Sequence, residues 1–353
     1  MSRIEKIKEI LDELSLDAFY ITHIPNIRYI TGFSGSSAIS IITKGRNYFI
    51  TDFRYKEQSA KQVKGFEIAV NYLALEEIKK IFANEGFKNV GFESTRLTVH
   101  QLENLQKNFP GVKFTPISER IEKLTMVKTP DEIESLKKAA EITDKTFSKL
   151  LEIIKPGMSE KDVSAEISYW HKKFGAEKDS FDPIVASGWR GCLPHGIASD
   201  KIIQNGEMVT LDFGCVYEGF CSDLTRTISV GEPSDEMKKI YGIVYDSQLK
   251  AIKSARTGIT TKELDSSARD YIKEKGYGEK FGHGLGHGLG IEVHEMPSIS
   301  QRMNVKLPEG VIVTIEPGIY VENIGGVRIE DDVLIRNGGC EVLNKSPKEL
   351  III

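Results

Sequence analysis

Apolar positions recur every three or four residues from Ile4 to Leu14, and again from Glu76 to Glu85, which predicts two amphipathic helices. Between and after them, short apolar runs at Ala18 to Ile24, Tyr48 to Phe53 and Asn89 to Glu93 predict strands. Helix and strand patterns alternating over the first third of the chain predict an α/β domain. Thr31-Gly-Phe-Ser-Gly-Ser-Ser37 has the small residues of a phosphate loop but no lysine and no P-loop spacing, so it reads as a turn. A break falls between Ile121 and Thr129, giving expected domains of residues 1–125 and 126–353. The second opens on a helix start: Thr129 as N-cap, Pro130 at the first helical position, and Asp131 and Glu132 in the first turn. That helix is stopped by Pro156-Gly157.

The remainder of the chain repeats itself. Lys155-Pro-Gly-Met-Ser-Glu-Lys-Asp-Val recurs as Arg256-Thr-Gly-Ile-Thr-Thr-Lys-Glu-Leu264, and Gly157, Ser159, Lys161 and Gly175 map at one constant spacing onto Gly258, Thr260, Lys262 and Gly276. Gly206-Glu-Met-Val-Thr-Leu-Asp-Phe-Gly214 then resembles Gly310-Val-Ile-Val-Thr-Ile-Glu-Pro-Gly318 at nearly the same spacing, so Asp212 maps onto Glu316. Two related half-domains are expected, each with a long helix, a turn, a second helix capped by Ser159 or Thr260, and then strands.

Acidic residues sit inside those strands, where Asp is depleted. Met208 to Tyr217 and Gly219 to Val230 read as a hairpin turning at Glu218-Gly219, which sets Asp212 opposite Thr225 and Asp223 opposite Gly214. Both aspartates then share one face of the sheet. In the second half, Glu316 and Glu330 flank a hairpin whose loop reads as the four residues Asn323-Ile-Gly-Gly326. Strict alternation through that loop puts the glutamates on opposite faces, and a bulge at Pro317-Gly318 is needed to bring them together. Two facing hairpins would gather four carboxylates at one point, where their mutual repulsion calls for cations. Pairing with Arg226 or Arg328 would explain any one of these acids, but not four at related positions. Phe281-Gly-His-Gly-Leu-Gly-His-Gly-Leu-Gly-Ile-Glu-Val-His-Glu295 adds three of the seven histidines, His283, His287 and His294. It fits neither a dinucleotide-binding G-x-G-x-x-G in strand–helix context nor HExxH.

Composition narrows the classes. Lys+Arg 47 against Asp+Glu 51 gives a net charge of −4, which lacks the basic excess of a nucleic-acid binder. No apolar run approaches the roughly 18 residues of a membrane span. The charged, amphipathic start is unlike a signal peptide. The four cysteines, Cys192, Cys215, Cys221 and Cys340, form no CxxC pair or disulfide framework, and a cytoplasmic protein is expected.

Leu193-Pro-His-Gly196, Leu211-Asp-Phe-Gly214, Ser222-Asp-Leu-Thr-Arg-Thr227, Gly286-His-Gly-Leu-Gly290 with Val293-His-Glu295, Thr314-Ile-Glu-Pro-Gly318 and Gly326-Val-Arg-Ile-Glu-Asp331 together resemble the pita-bread-fold metallopeptidases, specifically the Xaa-Pro peptidases (prolidase and aminopeptidase P). The resemblance runs over nearly the whole chain and implies a creatinase-type α/β N-terminal domain followed by an α+β pita-bread catalytic domain with a pseudo-two-fold duplication. It implies metal ligation by Asp212, Asp223, His287, Glu316 and Glu330, and a substrate-facing place for His195 and His294; His283 stays unassigned. Two divalent ions per subunit are implied. Mn²⁺, Co²⁺ or Fe²⁺ suit this oxygen-rich set, the imidazole speaks against Ca²⁺, and Zn²⁺ stays open.

The expected reaction is hydrolysis of the Xaa-Pro bond in dipeptides or at the N-terminus of short peptides, with Glu316 as proton shuttle and Arg328 steadying the site or meeting a substrate carboxylate. Phe181 and Ile184 are the expected walls for the proline ring. A methionine aminopeptidase-like enzyme, a creatinase-like amidinohydrolase, a non-catalytic peptide-binding module and a structural protein are the rivals; retention of every ligand type favours the peptidase. The resemblance also implies a homodimer, and Arg28, Tyr29 and Phe33 of the N-terminal domain are residue types enriched at interfaces.

Overall fold

The computed structural model describes residues 3–353 and divides after Leu124 into two units. In the first, the apolar runs form a six-stranded sheet of β1 (Ala18–Ile21), β2 (Ile39–Thr43), β3 (Asn47–Thr51), β4 (Glu67–Val70), β5 (Asn89–Glu93) and β6 (Lys113–Ile117). Their order is β4-β3-β2-β1-β5-β6. β1 pairs antiparallel with β2 and parallel with β5, so the sheet is mixed. The helix Ala74–Glu85 lays Ile78, Ile81 and Phe82 onto the same core as Ile41, Ile50 and Val90. The run from Ala18 does not stay extended to Ile24. It stops at Ile21, and Ile24–Thr31 is a helix, with Pro25 in its first turn and Gly32 closing it at φ 77°. Tyr29 and Phe33 are core residues, 5% and 0% exposed, and Phe33 packs edge-on against Phe49 and Tyr55, so neither offers surface to a partner.

The second unit carries the duplication. Helices Pro130–Ile153 and Glu160–Lys173 in its first half correspond to Asp235–Ser254 and Thr261–Glu274 in its second. Thr129 caps the first of them as its spacing predicts, and Ser159 and Thr260 cap the second helix of each half through the same reciprocal capping box. Gly157 and Gly258 turn the chain at φ 94° and 86°, and their N–H groups donate to Ile203 and Leu307 of the returning segments. Each half buries its own cluster: Phe147, Val163, Val209 and Ile228 in one, Val244, Leu264, Val313 and Val333 in the other.

The first hairpin has the register its turn dictates. Glu218 and Gly219 both take left-handed conformations, φ 49° and 85°, and Asp212 faces Thr225. Its strands are shorter than their apolar pattern predicts, because pairing lapses at Gly214 and at Ser222-Asp223 between Glu207–Phe213 with Leu224–Val230 and Cys215–Tyr217 with Phe220–Cys221. There the backbones pass so closely that a Cβ on Gly214 would lie 1.9 Å from the Ser222 carbonyl oxygen. The Asp223 N–H leaves the ladder for the Asp332 carboxylate, 3.1 Å away.

The second hairpin departs from the expected loop. Val321 pairs with Gly325, leaving only Glu322–Ile324 in the turn, with Asn323 at φ 62°. Gly325 and Gly326 belong to the strand, and Gly326 is glycine for close approach: a Cβ there would stand 2.0 Å from the Gly191 carbonyl oxygen. The register is the same on either side of Glu316-Pro317, with Gly318 opposite Arg328 and Ile315 opposite Asp331. No residue is inserted, no bulge is needed, and Glu316 stands opposite Glu330.

Gly214→Ala is therefore expected to destabilise the protein by about 1–3 kcal/mol or more in urea denaturation, because backbone must move. Gly242→Ala, on an exposed helix face with nothing within 4 Å of the new methyl group, is expected to add about 0.5–1 kcal/mol.

Candidate metal centre and active site

Each half contributes one hairpin, and the acids at their lapses in pairing converge. Asp212 is the penultimate residue of the strand Glu207–Phe213, and Arg328 donates to its Oδ2 at 2.5 Å. Glu330 accepts from the Thr225 hydroxyl at 2.6 Å, while its N–H donates to the Thr225 carbonyl, so the residue opposite Asp212 ties the two hairpins together. Glu316 accepts from Thr314 Oγ1 at 3.2 Å. His287 lies in the short strand Gly286–Gly288, with Nδ1 3.0 Å from the Gly288 carbonyl. That leaves Nε2 facing Glu316 Oε1 at 3.4 Å and Asp223 Oδ2 at 3.7 Å.

Asp223, His287 and Glu330 offer ligand atoms that all lie within 4.8 Å of one another. Asp212 and Glu316 line the same cavity beside them. The buried Oδ1 atoms of Asp212 and Asp223 have no hydrogen-bond partner. Burial first, then the neighbouring acids, holds the Asp223 and Glu330 carboxyls well above the usual carboxylate range. Burial pushes Glu316 up to about 8. It pushes His287 down to about 4, so the imidazole is neutral and its lone pair free. Carboxylates that resist ionising, orphaned oxygens and one neutral imidazole make a donor set that fits divalent cations.

The cavity has a volume of about 580 Å³, and every residue singled out from the sequence lines it. Phe181, Ile184, Pro194 and Ile197 are its apolar lining within residues 181–197, with Ile184 and Ile197 bridged to each other, and His195 lines the cavity too. The His294 ring stands 4.3 Å from that of His287, and burial lowers its pKa. Its turn is fixed from behind by the buried pair Lys128–Glu295 at 2.8 Å, whose carboxylate also accepts from the Ile291 N–H. Arg328 is fully engaged by protein groups, donating to Asp212, to Tyr320 Oη at 2.9 Å and to Thr225 Oγ1 at 3.1 Å.

The structure gives a place to His283, which the sequence singles out without a role, and to contributors that escaped sequence reasoning. His283 lines the cavity with Nε2 2.9 Å from Tyr320 Oη, and burial drops its pKa to about 4. Thr225 donates to the Glu330 carboxylate, Tyr320 accepts from Arg328, and Asp332 accepts from the Asp223 N–H, yet no spacing marks Tyr320. Only the hairpin register picks out Thr225, and only its place after Glu330 picks out Asp332.

Stability of the metal-free protein follows from these shifts. The folded state keeps protons on carboxyls that the unfolded chain has released, which costs stability as pH rises toward about 8. The histidines held neutral act in the opposite sense up to their ordinary value of 6.5, so the net loss falls between 6.5 and about 8. The melting temperature of metal-stripped protein is expected to fall across that range. Added divalent metal is expected to raise it more at the upper end than at the lower, since the ion replaces those protons.

Comparison with known proteins agrees with this construction. Residues 134–337 match the model for metallopeptidase family M24, and residues 3–127 match the creatinase/prolidase N-terminal domain. A Xaa-Pro dipeptidase of Pyrococcus horikoshii is 44% identical over 99% of this chain and 98% of the relative. Among solved structures, a Xaa-Pro dipeptidase from Bacillus anthracis superposes with a TM-score of 0.96 at 47% identity, covering 99% of each chain. An X-Pro aminopeptidase from Thermotoga maritima does so with a TM-score of 0.93 at 40% identity, covering 100% of each. With four carboxylates gathered by two related hairpins and one imidazole supplied by the strand Gly286–Gly288, the chain belongs to metallopeptidase family M24.

Proposed function

We propose that this protein hydrolyses Xaa-Pro bonds in dipeptides and at the N-terminus of short peptides, with two divalent metal ions held by Asp212, Asp223, His287, Glu316 and Glu330. The observation that carries the reading is the complete donor set lying in one cavity with an apolar wall, Phe181 and Ile184, and with histidines facing the same space. Full-length relatives named Xaa-Pro dipeptidase support it. A non-catalytic peptide-binding module would have no use for every ligand.

When bound, the ions supply Lewis-acid polarisation of the scissile carbonyl and a nucleophilic water at neutral pH. The chain's own residues do the rest. An Xaa-Pro bond is a tertiary amide with no N–H, so the backbone handle most peptidases grip is missing. Phe181 and Ile184 instead pack the pyrrolidine ring. His195 and His294 donate hydrogen bonds to the oxygen on which charge develops and to the departing proline nitrogen. Glu316, ionised once cations have replaced its proton, takes up a proton from the attacking water at an Oε atom and returns it to the departing nitrogen. Arg328 holds Asp212 in place.

Manganese is the proposed metal, with Co²⁺, Fe²⁺ and Zn²⁺ as competitors. Among the described residues no helix is long and apolar enough to cross a membrane, and the four cysteines are free; a cytoplasmic site of action suits four reduced thiols. A homodimer is proposed as well. The first unit exposes Phe53, Tyr72 and Leu73, 70%, 80% and 60% accessible, in place of the buried Tyr29 and Phe33.

The decisive assay is hydrolysis of an Xaa-Pro dipeptide and an Xaa-Pro-Yaa tripeptide by metal-stripped protein, then by protein reloaded with each ion. Activity is expected to vanish on stripping and to return best with Mn²⁺. Asp212→Asn and His287→Ala are expected to lower both bound metal and turnover by orders of magnitude; near-normal turnover with metal retained in either would sink the dinuclear reading. Sedimentation should give a dimer, and a chain beginning at Met126 should bind metal yet discriminate poorly by peptide length. A fully selective monomer would refute the assembly.

A further inference from the structure

The His195 imidazole faces the cavity, and among the described residues no hydrogen bond tethers it. Its place is set by the backbone of its own segment, which leaves the strand Ile184–Ser187, turns through Gly188–Cys192 and runs on to Ser199. Within the segment the backbone bonds are short and local, Leu193 N–H to the Arg190 carbonyl, Gly196 N–H to that of Leu193 and Ile197 N–H to that of His195, and Ile197 also forms a single antiparallel bridge with Ile184.

One carboxylate grips both ends of this segment. Glu160, the first residue of its helix, is 0% exposed. Its Oε1 accepts from the Ser187 N–H at 2.8 Å and hydroxyl at 2.9 Å, and its Oε2 from the Ser199 N–H at 3.0 Å and hydroxyl at 2.7 Å. Arg190, midway along, also donates to Oε2, and its other terminal nitrogen reaches the Ile197 carbonyl at 2.9 Å. The clamp thus holds the chain eight residues before His195 to four residues after it at three points.

The duplication shows that the fold alone does not require this. The corresponding residue in the second half is Thr261. Its N–H donates to Val305, just as that of Glu160 donates to Lys201, so the helix start is docked in both halves by backbone. The Thr261 hydroxyl donates to the Met303 carbonyl at 2.7 Å and accepts from the Val305 N–H at 3.2 Å, and the returning segment of that half, which brings His294 to the cavity, is held instead by Glu295 with Lys128. A buried carboxylate is costly unless every oxygen is satisfied, and both oxygens of Glu160 are satisfied by the segment that carries His195.

We propose that Glu160 is a positioning residue for His195. Through Ser187, Arg190 and Ser199 it fixes the backbone from which the imidazole meets the reacting carbonyl. The inference rests on the reading of His195 as a substrate-facing donor.

The test uses the full-length, metal-loaded protein acting on an Xaa-Pro dipeptide. Glu160→Gln, Ser199→Ala and Arg190→Met are each measured alone and combined with His195→Ala. Glu160→Gln is expected to lower kcat by about 10- to 100-fold, with KM changed less than about 3-fold and metal content intact, as a misplaced catalytic group does. In the His195→Ala background the same substitution should change kcat by less than about twofold, since there is no longer an imidazole to position. Ser199→Ala and Arg190→Met, each removing one arm of the clamp, should show smaller losses that also vanish with His195; they decide the matter if Glu160→Gln does not fold. Equal losses in both backgrounds, or loss of metal, overturn the inference alone. Undiminished kcat in His195→Ala overturns the role of His195, and the inference with it, while leaving the metal-dependent peptidase reading intact.

Discussion

Four carboxylates gathered with one imidazole, and Arg328 as the one cationic side chain bonded to them among the described residues, form the constraint from which the rest of the catalytic unit follows. Water cannot screen these charges, because Asp212, Asp223 and Glu330 are buried. Protein charges alone leave the cluster short of positive charge, and the carboxyls respond by holding protons. A divalent ion relieves the same strain by replacing protons. Metal binding, stability and pH are therefore one coupled equilibrium at this site.

Holding such a cluster together requires neighbours that do not relax when the charges repel. The supports are arranged in a chain: Tyr320 to Arg328, Arg328 to Asp212, and Thr225 to both Arg328 and Glu330. Asp332 adds a contact to the backbone of Asp223. Nearly every link joins one hairpin to the other. The duplication therefore supplies more than two copies of a fold. It lets each half brace the acids of its counterpart.

The walls of the cavity follow a second logic. His287 and His283 are both held neutral by burial, and burial also lowers His294, so the histidines serve as lone pairs and N–H donors rather than as further cations. The segments bearing them are fixed from outside the cavity, Glu160 behind His195 and Lys128–Glu295 behind His294. Charges that bind substrate and charges that hold the framework are kept apart, so each set can be satisfied completely.

Much of this was legible from residue order alone, because the signals were local or repeated. Thr129 before Pro130 starts a helix by local chemistry, Glu218-Gly219 sets a hairpin register by its own backbone preferences, and a constant spacing between copies reveals a duplication without any contact being known. Tertiary contact settled what local preference left ambiguous. Gly325-Gly326 looks like a turn, yet it is strand, because the Gly191 backbone lies against Gly326 and admits no side chain. Tyr29 and Phe33 look like interface residues, yet they fill a core. Tyr320 carries no motif, and Thr225 and Glu160 sit within recognisable stretches that do not say what they hold, since the importance of all three lies in partners far away in the chain. A sequence thus determines which groups are present and how each short stretch prefers to bend. Which carboxylate meets which donor depends on bringing distant segments together, and only burial in that folded interior turns ordinary acids and imidazoles into a cluster that suits metal.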